Sequence, residues 1–125
     1  MPNNPTDFTN LVIDDSSTNV VLLQAVLTNK GYNIETALNV KEAYTVIYKK
    51  KPDLILLDLL MPKINGYEFL AEVKAIENLK KIPIIVVSAL SDIENIQKAM
   101  DLGAHSFIKK PVDIQKLVEL VDSIL

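Results

Sequence analysis

The 125-residue sequence has no cysteine, no arginine and a single histidine. Without thiols there can be no disulfide scaffold, thiolate zinc site, iron–sulfur cluster or cysteine nucleophile. One histidine, His105, excludes a multi-histidine metal site, and any Ser-His-Asp triad would have to use it. Thirteen lysines face sixteen acids, for a net charge of −3. Lacking a basic surplus and arginine forks, the chain is not expected to bind nucleic acid directly. Its longest apolar runs, at 54–57 and 84–87, fall far short of the ~20 residues that span a bilayer. The N-terminal MPNNPTDF has neither the basic nor the apolar region of a signal peptide, so a cytoplasmic domain without membrane contact is expected. Only Gly31, Gly66 and Gly103 are glycines, and none sits in a phosphate-cradling GxGxxG or GxxxxGK loop.

Hydrophobic residues make up 49% and charged residues 23%, the balance of an ordinary globular domain. The length suits one domain over 1–125, able to bury a core without staples. Residues 1–8, with two prolines among polar neighbours, read as a flexible lead-in.

Two kinds of segment alternate along the chain. Leu11–Ile13, Leu54–Leu57, Ile84–Val87 and the shorter Phe107–Ile108 are near-continuous apolar runs, as in parallel strands covered on both faces. The more polar Asn33–Ala37 reads as an edge strand. Between them lie stretches of helical spacing. Thr18–Lys30 carries Val20, Leu23 and Leu27, with Gly31 at its C′ position. Asn39 precedes Val40, Ala43 and Ile47, with Pro52 closing that stretch. Tyr67–Glu77 carries Phe69, Leu70, Val73 and Ile76. Ser91-Asp92-Ile93-Glu94 reads as a capping box before a helix ended by Gly103, and Asp113 can cap a last helix. This alternation predicts an α/β fold: a flavodoxin-like (βα)5 three-layer sandwich with a parallel five-stranded sheet in order 2-1-3-4-5.

In such a sheet ligands bind beyond the carboxyl ends of the strands, where the strand order reverses. Asp14 and Asp15 follow the first strand, Asp58 the third, Ser88 the fourth and Lys110 the fifth. Paired carboxylates repel by about 4 kcal/mol at 4 Å and an effective dielectric of 20, so three together call for protonation or a cation. Oxygen donors without histidine or thiolate suit a hard ion that shares its shell with water and phosphate, Mg²⁺ above Ca²⁺. Carboxylates, a divalent cation, an ammonium and a hydroxyl are together what a transferring phosphoryl group needs. With no nucleotide loop, the phosphoryl group is expected on another molecule, with a carboxylate of the site as acceptor.

These pieces resemble one family, the receiver domain of two-component response regulators. The match runs through Val12-Ile13-Asp14-Asp15, Asp53 to Pro62, Asn65-Gly66, Pro83 to Ala89, and Gly103-Ala104 to Lys110-Pro111, and covers residues 9–125. The resemblance makes Asp58 the phosphoacceptor. It makes Asp15 the direct Mg²⁺ ligand beside Asp58 and the backbone carbonyl of Leu60, with Asp14 acting mainly through bound water. Ser88 would bond the phosphoryl oxygen, Phe107 would be the aromatic switch, and Lys110 the phosphoryl-binding lysine with a cis Lys110–Pro111 bond. Strand alternation sends Lys109 to the opposite side. Leu60 and Leu90 flank the approach of water and imply slow dephosphorylation. His105 is given no role.

The resemblance implies a phosphorelay switch rather than an enzyme. A histidine kinase or histidine phosphotransfer protein would donate, and an output partner would meet the face of the fourth helix, fifth strand and fifth helix. Ile96, Lys98, Lys109 and Lys116 lie in those segments. The domain would be a monomer or weak dimer; dimerisation through the output face is open, but the arginine usual in that interface of winged-helix regulators is missing, which weighs against a DNA-binding regulator. No output domain follows the fifth helix, so the chain acts alone, through a partner, or as part of a longer protein. A receiver-like interaction module that has given up phosphorylation is the alternative. An aspartyl phosphatase would need an Asp-x-Asp motif that the stretch at Asp58 lacks, and a flavodoxin would need a hydroxyl-rich loop where Asp14-Asp15 stands.

Overall fold

A computed structural model of the protein describes residues 4–59, 66–90 and 92–125. Strands β1 (Thr9–Ile13), β2 (Asn33–Ala37), β3 (Leu54–Leu57), β4 (Ile84–Ser88) and β5 (Ser106–Lys109) alternate with five helices. These are α1 (Ser17–Asn29), α2 (Val40–Lys49), α3 (Gly66–Ala75), α4 (Ile93–Asp101) and α5 (Ile114–Ile124). All four strand pairings are parallel and the order is β2-β1-β3-β4-β5, as the alternation predicted.

Side-chain alternation along the strands divides the core in two. Leu11, Ile13, Ile55, Leu57, Ile84 and Val86 face α2, α3 and α4, against Ala43, Ile47, Phe69, Leu70, Val73 and Ala99. Val12, Leu54, Leu56, Ile85 and Val87 face α1 and α5, against Val20, Leu23, Leu27, Leu117 and Val121. Burial on both faces is why the central strands read as unbroken apolar runs. Each such side chain contributes roughly 1.5–3 kcal/mol.

Caps set most of the helix boundaries. Ser16 caps α1 through its side chain, Asn39 caps α2 and Asp113 caps α5. Gly31 and Gly103, at φ of +99° and +106°, end α1 and α4 where other residues would be strained. Asp92 is the N-cap of α4 but makes no capping bond with its side chain. Ser91, the first member of the expected capping box, lies outside the described residues. α3 stops at Ala75 rather than Glu77, because the Ile76 amide bonds back to Val73 and the chain turns to bury Leu79 and Ile82.

Pro5–Asp7 form a 3-10 turn capped by Asn4, Asn33 Nδ2 donates to Thr6 O at 2.7 Å, and Phe8 packs against the α1/α5 side of the core. Phe8 thus gives the segment ahead of β1 an apolar contact with the core.

Candidate functional site

Backbone bonding continues one residue past three of the strands. The Asp14 amide donates to Ala37 O, the Asp58 amide to Ile13 O and the Lys110 amide to Ser88 O, at 2.9–3.1 Å. The alternation therefore extends as well. Asp14 follows Val12, Asp58 follows Leu56 and Lys110 follows Ile108, all from the α1/α5 face, so the three side chains emerge on one side of the rim. Ser88 follows Val86 on the other face, which it shares with Phe107, the partner of Val86 across β4–β5.

The result is one compact cluster. Carboxylate oxygens of Asp14, Asp15 and Asp58 all lie within 4.8 Å of one another. Lys110 Nζ bridges two of them, at 2.9 Å from Asp14 Oδ2 and 3.2 Å from Asp58 Oδ2. Asp14 and Asp58 are buried whereas Asp15 is exposed. Burial acts to lower the Lys110 pKa, but the hydrogen bond to Asp14 and the charges of Asp58 and Asp14 outweigh it, so the ammonium is held above the ordinary lysine value. Asp14 is further fixed by the Ser16 amide on Oδ1 at 2.9 Å and by Asn19 Nδ2 on Oδ2 at 3.4 Å.

Among the described residues three carboxylates meet at this point, and every donor in the group is a carboxylate oxygen. That set fits a divalent hard cation and offers nothing to a soft one.

Ser88 is fully buried, and its Oγ accepts from the Leu90 amide at 3.2 Å. Leu90 and Phe107 are partly buried against the α2/α3/α4 side of the core. The Lys110–Pro111 bond is cis. Lys109 is exposed, and so is His105, whose Nδ1 meets Ser106 Oγ at 2.7 Å. Leu60, with Met61, Pro62 and Asn65, lies outside the described residues.

Gly66 closes the cluster from below. A Cβ there would stand 2.6 Å from Leu59 Cα and 2.9 Å from Asp58 O, so only glycine lets α3 start so close to the backbone of Asp58. Beside Lys110 a groove of about 470 Å³ is lined by Asn19, Leu22, Leu23, Ala89, Pro111 and Val112.

Sequence reasoning placed Asp14, Asp15, Asp58, Ser88 and Lys110 at one rim and missed two nearby contacts, Asn19 on Asp14 and Tyr67 on α4. Asn19 lies one turn into α1, where its spacing from Asp14 could have revealed it. Tyr67 bonds to a residue of α4, and no local spacing signals that.

A doubly wound sheet that gathers three aspartates at its switch point, two of them bridged by a lysine, defines the class: an α/β domain with an acidic site on its carboxyl edge. The chain belongs to the response regulator receiver domain family, which matches residues 11–122, and so to two-component signalling. Among curated relatives it is 36% identical over 103 residues to a probable transcriptional regulator, ycf29, of Porphyra purpurea, covering 82% of this chain and 49% of that protein. It is 33% identical over 115 residues to sporulation initiation phosphotransferase F of Bacillus subtilis, covering 92% of this chain and 91% of that one. The chain thus spans about half the length of some relatives and nearly all of another. A putative response regulator from Chloroflexus aurantiacus superposes with a TM-score of 0.88 at 34% identity, over 94% of this chain and 96% of that one. Chemotaxis protein CheY4 of Vibrio cholerae gives 0.88 at 28%, over 94% and 98%. Among the described residues no helix is long and apolar enough to cross a membrane.

Proposed function

We propose that this domain accepts a phosphoryl group on Asp58 in a Mg²⁺-dependent reaction and changes conformation to control an output partner. The donor is the phosphohistidine of a histidine kinase or histidine phosphotransfer protein. One observation carries the reading: Lys110 Nζ bridges Asp14 and Asp58 with Asp15 beside them, at the sheet's carboxyl edge. The same intact cluster favours it over an interaction module that has given up phosphorylation.

In the transfer, an Asp58 carboxylate oxygen attacks phosphorus, the P–N bond to the donor imidazole breaks, and its electron pair returns to the ring. Asp14, Asp15 and Asp58, with the Leu60 carbonyl, would hold Mg²⁺, which neutralises charge on the phosphoryl oxygens when bound. Lys110 gives a positive charge that can pass from Asp58 to the phosphoryl group without leaving Asp14. Ser88 offers its hydroxyl to a phosphoryl oxygen, and Phe107, on the same face of the sheet, responds to that movement. The groove beside Lys110 gives a donor protein an apolar seat next to the acceptor.

Output through α4, β5 and α5 belongs to the same proposal. There Lys98, Lys109 and Lys116 are exposed and Ile96 half-buried. So do a cytoplasmic setting, a monomeric or weakly dimeric state, and the absence of any catalysis beyond the domain's own phosphorylation and dephosphorylation.

The test is mass spectrometry after incubation with acetyl phosphate and Mg²⁺. Wild type should gain one phosphoryl group and Asp58→Asn none. No gain by wild type, or equal gain by the variant, overturns the proposal.

A further inference from the structure

Tyr67, in the first turn of α3, carries a set of contacts that phosphoryl transfer does not use. Its ring is buried, and its hydroxyl donates to Asn95 Oδ1 in the first turn of α4, with the Asn95 backbone carbonyl 3.4 Å away. Asn95 Nδ2 donates in turn to Asp92 Oδ1, the N-cap residue of α4. Lys98 Nζ, one turn further along α4, stands 4.2 Å from the centre of the Tyr67 ring. Three consecutive anchor points on α4 thus converge, directly or through Asn95, on one side chain.

Both ends of this tie lead to the phosphoacceptor. Tyr67 follows Gly66, which rests on the backbone of Asp58 and Leu59 and donates its amide to Leu59 O at 3.2 Å. α4 follows Ser88 by a short connection, and Ser88 Oγ is bonded to the Leu90 amide within it. A pull on Ser88 toward Asp58 would therefore act on Leu90, which lies close before α4 in the chain. Elsewhere this helix is lightly held: Ala99 is its one buried residue among those described, and Ile93 is 85% exposed.

We infer that Tyr67 is a positioning residue: its hydroxyl bond to Asn95 and its ring under Lys98 hold α4 in the unphosphorylated arrangement, so that switching must break this tie. The inference rests on the phosphoacceptor reading of Asp58 and names the restraint that regulates it. A bond present in one state and lost in the other sets the equilibrium between them. Removing it makes the switched state more accessible and tightens the binding of anything that selects that state.

The experiment titrates beryllofluoride, a phosphoryl mimic, into wild type, Tyr67→Phe, Asn95→Ala and the double variant by calorimetry at fixed Mg²⁺. Mg²⁺ affinity is measured separately without beryllofluoride. Each single variant should bind beryllofluoride about two- to tenfold more tightly, the range of one net hydrogen bond. The double variant should gain no more than the better single one, because both remove the same tie. Mg²⁺ affinity should not move, which a general loosening of the site would not allow. If Tyr67→Phe fails to fold, Asn95→Ala decides the matter alone. Unchanged or weaker beryllofluoride binding by the folded variants, with wild type binding normally, overturns the inference and spares the phosphoacceptor reading. Failure of wild type itself to bind overturns that reading, and this inference with it.

Discussion

Replacing the exposed carboxylate by a carboxamide, Asp15→Asn, tests the electrostatics of the cluster without touching the buried Lys110 bridge. Two unit charges 4.8 Å apart, the outer limit of the cluster, repel by about 3.5 kcal/mol at an effective dielectric of 20 and about 0.9 kcal/mol in water. Asp15 is exposed, so the lower figure governs, and its two repulsions with Asp14 and Asp58 sum to about 1.8 kcal/mol. Against this, Asp15 directly precedes the α1 N-cap, where a negative charge is worth about 0.3–1 kcal/mol. The Lys110 ammonium between Asp14 and Asp58 offsets about half of that sum, so the net expectation in chelator is that Asp15→Asn stabilises the domain by up to about 0.6 kcal/mol. Added Mg²⁺ should reverse the order. Wild type gains about 2.7 kcal/mol at a hundred times its dissociation constant, whereas the variant, one anionic ligand short, gains far less. Urea unfolding followed by circular dichroism, with chelator and with Mg²⁺, reads both effects. Raising the salt should narrow the difference seen in chelator. An Asp15→Asn protein less stable than wild type in chelator would refute the reasoning, since the carboxylates would not be in mutual repulsion.

Three further outcomes follow from other parts of the molecule. The side chain of Asn10 is fully buried in β1, and neither its Nδ2 nor its Oδ1 has a partner among the described residues. The near-isosteric Asn10→Leu should therefore raise stability by about 1–2 kcal/mol, and a lowered urea midpoint would count against it. Burial lifts the phenols of Tyr32, Tyr44 and Tyr67 above the usual value, Tyr44 to about 12, with Asp122 and Glu72 adding to the effect at the first two and Asp92 at the third. Because these groups ionise more readily when unfolded, stability should be untouched below about pH 10 and fall as the pH climbs toward the folded values. Urea midpoints at pH 8 and pH 11 check this, and Tyr32→Phe should flatten the decline. Finally, Leu60 and Leu90 should hinder attacking water and give phospho-Asp58 a long life. Hydrolysis within seconds, followed by mass spectrometry, would disprove that.

Much of the fold was legible because its signals are local. Leu54–Leu57 and Asn33–Ala37 have the strand bounds read from their apolar and mixed patterns, since burial on two faces and at an edge writes different sequences. The separation of Lys109 from Lys110 followed from a period of two. What escaped depends on contacts between distant elements. Phe8 packs on a core that nothing near it in the sequence announces. The α3 boundary was read two residues late because Glu77 continues the helical spacing while Leu79 is drawn into the core. Asn10 sits unannounced in an apolar strand, and the Tyr67–Asn95 bond joins helices whose patterns each looked complete. Of the candidate site, the charged members were readable from the order of the strands, but the side chains that steady them were not.

The edge strand β5 bears one consequence for how such a domain can diverge. β3, which delivers Asp58, is buried along its whole length, whereas every described position of β5 is partly or fully open to solvent. Changes on the outer side of β5 disturb few neighbours, so their cost in stability stays within about 0.5 kcal/mol, and sequence drift there is tolerated. A lineage could thus rewrite this rim while the three aspartates at the carboxyl edge stay as they were.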